Sequence, residues 1–384
     1  MTDLHAPVDA RLTALARHSH ALITSLQDPG GAYPAAPTFS AYAGYGWLRD
    51  GAFTAEGVSR FGDLDSAGRF HDWVSGVLAA RADVVRLLAG DRARGVEIEP
   101  TRMLPTRFTF DGADGDDDWW DFQTDGYGTW LWSVVTHAER HGLDLGRWAG
   151  GIAVAVDYLA AFWDVPCYDW WEEHVEQRHT STLGAIHAGL AAVARSGVLP
   201  PWAAERAHDV AEAARELVLT EATTTGRAPG GRPHLAKWLG SGVVDGSLPA
   251  CVVPFGVVDP GSDLGRATID AVAADLDSGG GVHRFTADVF YGGGQWPLLS
   301  CLLGWNLAAQ GDREGALRHL LWAADQAGPT GDLPEQVADH LLHPVYRQEW
   351  LDRWGPVATP LLWSHGMFLI LADELGLLPE GDPQ

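Results

Sequence analysis

The sequence predicts an all-α fold of about twelve helices arranged in two concentric rings. Three observations predict it. Apolar residues recur at helical spacing along most of the chain. No apolar–polar alternation runs long enough to build a sheet, which argues against a Rossmann fold or a TIM barrel. The helical stretches are joined alternately by short links, such as Gly311-Asp312, and by long ones rich in Trp, Arg and acidic residues. Short turns on one side and long loops on the other pair the helices and gather the loops at one end, where function usually sits. With no low-complexity stretch or evident linker, residues 1–384 read as one domain.

Taken in order, Leu12, Leu15, Ser19, Leu22 and Leu26 mark an amphipathic helix that Asp28-Pro29-Gly30-Gly31 stops. A loop follows as far as Tyr45-Gly46-Trp47-Leu48-Arg49-Asp50, and a second helix runs from Asp50 or Gly51 to Phe61. One further helix carries Phe70, Trp73, Val74, Val77, Leu78, Val84, Val85 and Leu88 on its apolar face. Residues 90–123 read as a long, partly extended loop. Its acidic stretch Asp111–Asp118 lacks the glutamate that an EF-hand needs at position twelve and reads as acidic surface. Helices are then expected at about 126–140, 144–164, 180–196, 201–222, 262–276, 293–309, 313–327 and 358–375, with a weaker one near Leu235.

Composition narrows the function. The net charge is −25 and Lys237 is the single lysine, so nucleic acid and anionic membranes are unsuitable partners. No GK[ST] phosphate loop exists, and one position alone has the chemistry for a Schiff base. Cys167, Cys251 and Cys301 are too widely spaced for a zinc ribbon or a disulfide framework. No run of apolar residues is long enough to span a bilayer, and Met1–Ala10 lacks the order of a signal peptide, so a cytoplasmic protein is expected. The 18 tryptophans exceed what packing requires and suggest a cleft that grips flat faces.

The chemistry centres on Tyr168-Asp169-Trp170-Trp171-Glu172-Glu173-His174. Two carboxylates behind two indoles fit a general acid, because an apolar setting raises a carboxyl pKa. They equally fit a helix start whose acidic residues complement the dipole. Asp332-Leu333-Pro334-Glu335-Gln336 supplies a second carboxylate, and the pair permits a two-carboxylate glycosidase. Loops at 45–50, 119–125, 168–173, 283–296 and 331–336 all mix aromatics with charged or amide groups, a composition suited to sugar rings and their hydroxyls. Two ExxH spacings, Glu176–His179 and Glu205–His208, match half of a di-iron pattern, but they lie in a Trp-rich loop and near a helix start.

In this order the segments resemble glycoside hydrolase family 15, the glucoamylase family. The matching residues are Trp47-Leu48-Arg49-Asp50, Gln123-Thr124-Asp125-Gly126, Asp169-Trp170-Trp171-Glu172-Glu173, Arg284 to Tyr291 with Trp296, Leu333-Pro334-Glu335-Gln336 and Leu362-Trp363-Ser364-His365. The resemblance spans about residues 40–370. It implies an (α/α)6 barrel and hydrolysis with inversion, releasing β-glucose from an α-glucoside. By position it makes Glu172 the general acid and Glu335 the base. Arg49 and Asp50 would hold the terminal glucose, Arg284 would sit at the next linkage, and Glu173 would take a hydroxyl of the leaving sugar. Trp119 or Trp120 would close over the acid. Trp47, Gln123, Asp125, Trp170, Trp171, Phe290 and Trp296 complete the expected substrate contacts.

Two departures from the family pattern bear on the site. Phe290 stands where a tyrosine is common, and the tyrosine assisting the base is expected to be Tyr45 rather than Tyr42. The chain reads as a bare catalytic domain for short, soluble α-glucosides, with α-1,6 links as in isomaltose preferred over α-1,4 links or trehalose. Trp170, Trp171 and the Glu173 charge are expected to keep Glu172 protonated. No metal or organic cofactor is expected, and the protein is expected as a monomer or weak homo-oligomer. Outside catalysis, the same barrel would serve as a carbohydrate-binding protein.

Overall fold

The computed structural model describes residues 6–119 and 122–379. Among these are thirteen α-helices: α1 (Ala6–Leu26), α2 (Leu48–Phe61), α3 (Leu64–Ala79), α4 (Ala82–Ala93), α5 (Asp125–His141), α6 (Ala149–Phe162), α7 (Thr180–Ser196), α8 (Pro201–Glu221), α9 (Asp263–Leu276), α10 (Pro297–Ala309), α11 (Arg313–Asp325), α12 (Arg347–Trp354) and α13 (Leu362–Glu374). Strands are two or three residues long and form small antiparallel ribbons, such as Tyr45–Trp47 with Arg107–Thr109. No helix is long and apolar enough to cross a membrane among the described residues.

The fold is an (α/α)6 barrel. Its inner ring closes in the order α2, α5, α7, the short 3-10 turn Leu248–Cys251, α10, α13 and back to α2. Inner helices meet neighbours on every side, so they are buried almost throughout, with Trp130, Phe53 and Phe368 among the largest enclosed side chains. Glycines let these helices approach closely. A Cβ on Gly57 would lie 2.5 Å from the Gly366 carbonyl oxygen, and one on Gly128 would lie 2.4 Å from that of Ala185. Outer helices start on local caps: Asp63, Ser262 and Asp312 each accept a backbone N–H from the first turn of α3, α9 and α11.

Some expectations change. The helix expected across Phe70–Leu88 is two helices, α3 and α4. Arg81 breaks it, donating to the Val77 and Gly112 carbonyls (both 2.8 Å) and so tying the end of α3 to the following loop. The weak segment near Leu235 is a short strand, and the sixth inner position is the 3-10 turn. The acidic loop is taken up by ion pairs, Asp114 with Arg81 and Asp117 with Arg107. The long connections at 119–125, 168–179, 234–247, 277–296 and 328–361 all lead into inner-ring elements, which brings them to one mouth of the barrel.

Candidate active site

These loops line a partly open cavity of about 240 Å³, just below the usual size of ligand sites. It suits a short sugar rather than a polymer. Of the residues expected at the site, Trp47, Arg49, Asp50, Trp119, Trp170, Trp171, Glu172, Glu173, Arg284, Phe290, Trp296 and Glu335 all line it. They come from five separate loops, and only the closed inner ring places them together.

Glu172 sits in a tight turn. Its N–H donates to the Asp169 carbonyl (3.0 Å), and the Asp169 N–H donates to the Glu173 carbonyl (3.2 Å). The Asp169 carboxylate accepts the N–H groups of Trp171 (2.9 Å) and Glu173 (3.0 Å). This turn holds Glu172 at φ +62°, a left-handed conformation that costs a non-glycine residue about 1–3 kcal/mol. The reward is direction: the side chain enters the cavity, where Trp47 Nε1 donates to Oε1 at 2.8 Å. Burial raises the Glu172 pKa, while the Arg49 charge and hydrogen bonds from Trp47, Trp119 and Gln123 oppose the rise. The Glu173 carboxylate beside it accepts from Arg284 at 3.2 Å.

Arg49 is the hub of the adjacent wall. Its NH1 donates to Gln123 Oε1 (2.7 Å) and Asp125 Oδ2 (2.9 Å), and its Nε lies 3.5 Å from Asp50. Gln123 and Asp125 are not among the residues lining the cavity; both hold Arg49, and Gln123 also hydrogen-bonds Glu172 itself. Burial, with the Glu172 and Asp125 charges, pushes Asp50 up to about 6 despite Arg49.

Glu335 enters from another loop and is 2% exposed. Its N–H donates to the Ala358 carbonyl (2.9 Å). Helix α13 braces the same loop: the Leu333 N–H donates to His365 Nε2 (2.9 Å) and Ser364 Oγ donates to the Pro334 carbonyl (2.9 Å). The tyrosine at Glu335 is Tyr42, whose hydroxyl donates to Oε1 at 2.9 Å. Tyr45 is the wrong choice. Its strand pairs with Arg107–Thr109, and its ring lies under the Arg107 guanidinium at 3.9 Å, outside the cavity. Burial raises Glu335 to about 8, helped by Asp50 and Glu172 and opposed by Tyr42 and Arg284. Glu335 Oε2 has no hydrogen-bond partner among the described residues.

The remaining wall is aromatic. The Arg284 guanidinium lies over Trp171 (5.3 Å), Trp296 (5.5 Å) and Phe290 (5.1 Å), and is held by Asp288. Helix α12 contributes Trp350, Arg353 and Trp354, and α13 contributes Trp363. The α12 residues escaped the sequence reading because no apolar period marks an eight-residue helix without a buried face. Trp363 lies in a segment the family resemblance had singled out. Trp120 lies outside the described residues.

A family model described as glycosyl hydrolases family 15 matches residues 9–214. A curated relative, the isomaltose glucohydrolase of Kribbella flavida, is 69% identical over 372 residues, covering 96% of this chain and 94% of its own. A glycosidase variant solved in complex with glucose has a TM-score of 0.93 and 68% identity, covering 99% of this chain and all of that one. A bacterial glucoamylase complexed with acarbose shares the fold at a TM-score of 0.72 and 18% identity, over 95% of this chain and 56% of its own.

Proposed function

The chain belongs to glycoside hydrolase family 15, and we propose that within it the protein is an inverting exo-α-glucosidase acting on short α-1,6-linked glucosides such as isomaltose. The observation that carries this reading is the convergence of Glu172 and Glu335, from loops far apart in sequence, on one small cavity. The 69% identity to an isomaltose glucohydrolase supports the linkage.

In this mechanism the terminal glucose lies against Arg49 and Asp50. Glu172 gives its proton to the glycosidic oxygen as the bond to the anomeric carbon breaks. A water on the opposite face attacks that carbon and passes its proton to Glu335, whose Oε2 is free to accept it. β-Glucose and the shortened sugar leave. Burial raises both Glu335 and Glu172, and the active form needs Glu172 protonated and Glu335 ionised. The two groups titrate as a coupled pair, and the Tyr42 hydroxyl and Arg284 are the groups that favour ionised Glu335. Trp171, Glu173 and Arg284 face the leaving sugar, with Phe290 and Trp350 behind it. The protein is read as a cytoplasmic, single-domain enzyme, monomeric or weakly associated, that needs no cofactor.

Initial rates on isomaltose, maltose, panose and trehalose, with the released anomer followed by NMR, test the reading. Isomaltose should be fastest and β-glucose should appear first. Faster maltose or trehalose cleavage would replace the linkage assignment, α-glucose would refute inversion, and no hydrolysis at all would leave a binding protein.

A further inference from the structure

The single lysine of the chain is buried beside the acid loop. Lys237 is 3% exposed. Its Nζ lies 2.8 Å from Asp169 Oδ2 and also pairs with Asp245 Oδ2, two carboxylates as deeply buried as itself. Asp169 is the residue whose other oxygen accepts the Trp171 and Glu173 N–H groups on either side of Glu172. Asp245 accepts the Trp171 indole N–H at 3.0 Å and the Ser247 N–H and hydroxyl. The backbone of Lys237 joins in, since its carbonyl accepts the Thr180 N–H at the start of α7 (3.0 Å). Its Nζ also rests 4.1 Å from the Phe285 ring, next to Arg284.

We propose that Lys237 is a positioning residue for the general acid: clamped between Asp169 and Asp245, it holds the 169–173 turn in the left-handed conformation that aims Glu172 into the cavity. This rests on the reading of Glu172 as the acid. The physical reason is charge. The turn depends on Asp169 remaining an acceptor for two amides, and an ionised carboxylate survives burial only beside a cation. Remove the ammonium, and two buried carboxylates face each other across the space it filled. One must then take up a proton or move toward water, and either change alters the pattern that keeps Glu172 at its positive φ. An arginine fork is too broad to occupy the same point between Asp169, Asp245 and the Phe285 ring.

A leaving group that needs no proton separates positioning from mere support of the fold. Lys237→Met, compared with wild type on isomaltose and on α-glucosyl fluoride, is expected to lose about tenfold or more kcat on isomaltose beyond its loss on the fluoride, because general acid catalysis matters only for the first. Glu172→Gln is run alongside and should show the same skew. Equal losses on both substrates in folded Lys237→Met, or no loss on isomaltose, would overturn the proposal. If Lys237→Met does not fold, Asp245→Asn, which keeps an acceptor for Trp171 while removing one charge of the clamp, is judged by the same ratio. If Glu172→Gln shows no skew, the acid assignment itself has failed and the proposal falls with it.

Discussion

The Tyr42 hydroxyl donates a 2.9 Å hydrogen bond to Glu335 Oε1 across 293 residues of sequence. That bond favours the ionised carboxylate, while burial and the Asp50 and Glu172 charges favour the protonated one and push Glu335 up to about 8. Removing the hydroxyl raises the pKa further, so the base form is lost at a higher pH. In Tyr42→Phe the acid limb of kcat/KM on isomaltose should move up by about one unit, with about a tenfold lower rate on that limb. Tyr45→Phe should leave the limb in place. A pH–rate profile of both variants decides, and an unmoved limb in Tyr42→Phe would remove the tyrosine from the base.

Glu172→Gln keeps the shape of the acid and removes its proton. Its kcat on isomaltose should fall by about 10²–10⁴, with a much smaller fall on α-glucosyl fluoride. Steady-state kinetics on the two substrates give the answer, and equal losses would argue against the acid role.

Asp125 is fully buried and holds Arg49 at 2.9 Å. Asp125→Asn leaves the buried guanidinium with the neutral Gln123 hydrogen bond and the longer Asp50 ion pair. The expected cost is about 3 kcal/mol or more, since an uncompensated buried charge is severe. Urea unfolding at neutral pH measures it. KM should rise as well, because Arg49 loses the anchor that aims it at the sugar.

Two buried histidines make stability depend on pH. Burial, with the His18 charge, lowers His365 to about 3, and burial, with His141 and Arg140, lowers His137 to about 4. Both are neutral when folded and bind protons more readily when unfolded. Their contribution is present above the unfolded value of about 6.5, declines as pH falls below it, and is gone below the folded values. Each should remove about 1.4 kcal/mol per pH unit within that window. The urea midpoint should therefore fall between pH 6.5 and 4.5, and His365→Gln should make the slope shallower. An unchanged slope in that variant would place the titration elsewhere.

Much of the barrel could be read from residues 10–90 and 125–375 because helical periodicity is local. The start of α7 at Thr180 and of α8 at Pro201 fell where expected. The failures share a cause. Leu248–Cys251 takes an inner-ring position with a single 3-10 turn, and α12 lies over the cavity with no buried face; neither leaves a periodic signal. The break between α3 and α4 falls at Arg81, whose side chain reaches the Gly112 carbonyl, a contact 31 residues away.

The sequence by itself determined the helical class, the two carboxylate segments as a family pattern and a net charge unsuited to polyanionic partners, because each rests on residue identity, spacing or total charge. Only the tertiary structure decided which tyrosine meets Glu335, that Gln123 and Asp125 both anchor Arg49, and that the lone lysine lies behind the Glu172 turn. These are meetings of loops separated by tens to hundreds of residues. Their outcome depends on how six inner elements close into a ring, and no local pattern encodes that. The structure also shows that Glu172 departs from ordinary backbone geometry, and that its turn adjoins a buried cluster of Asp169, Lys237 and Asp245 drawn from two different loops.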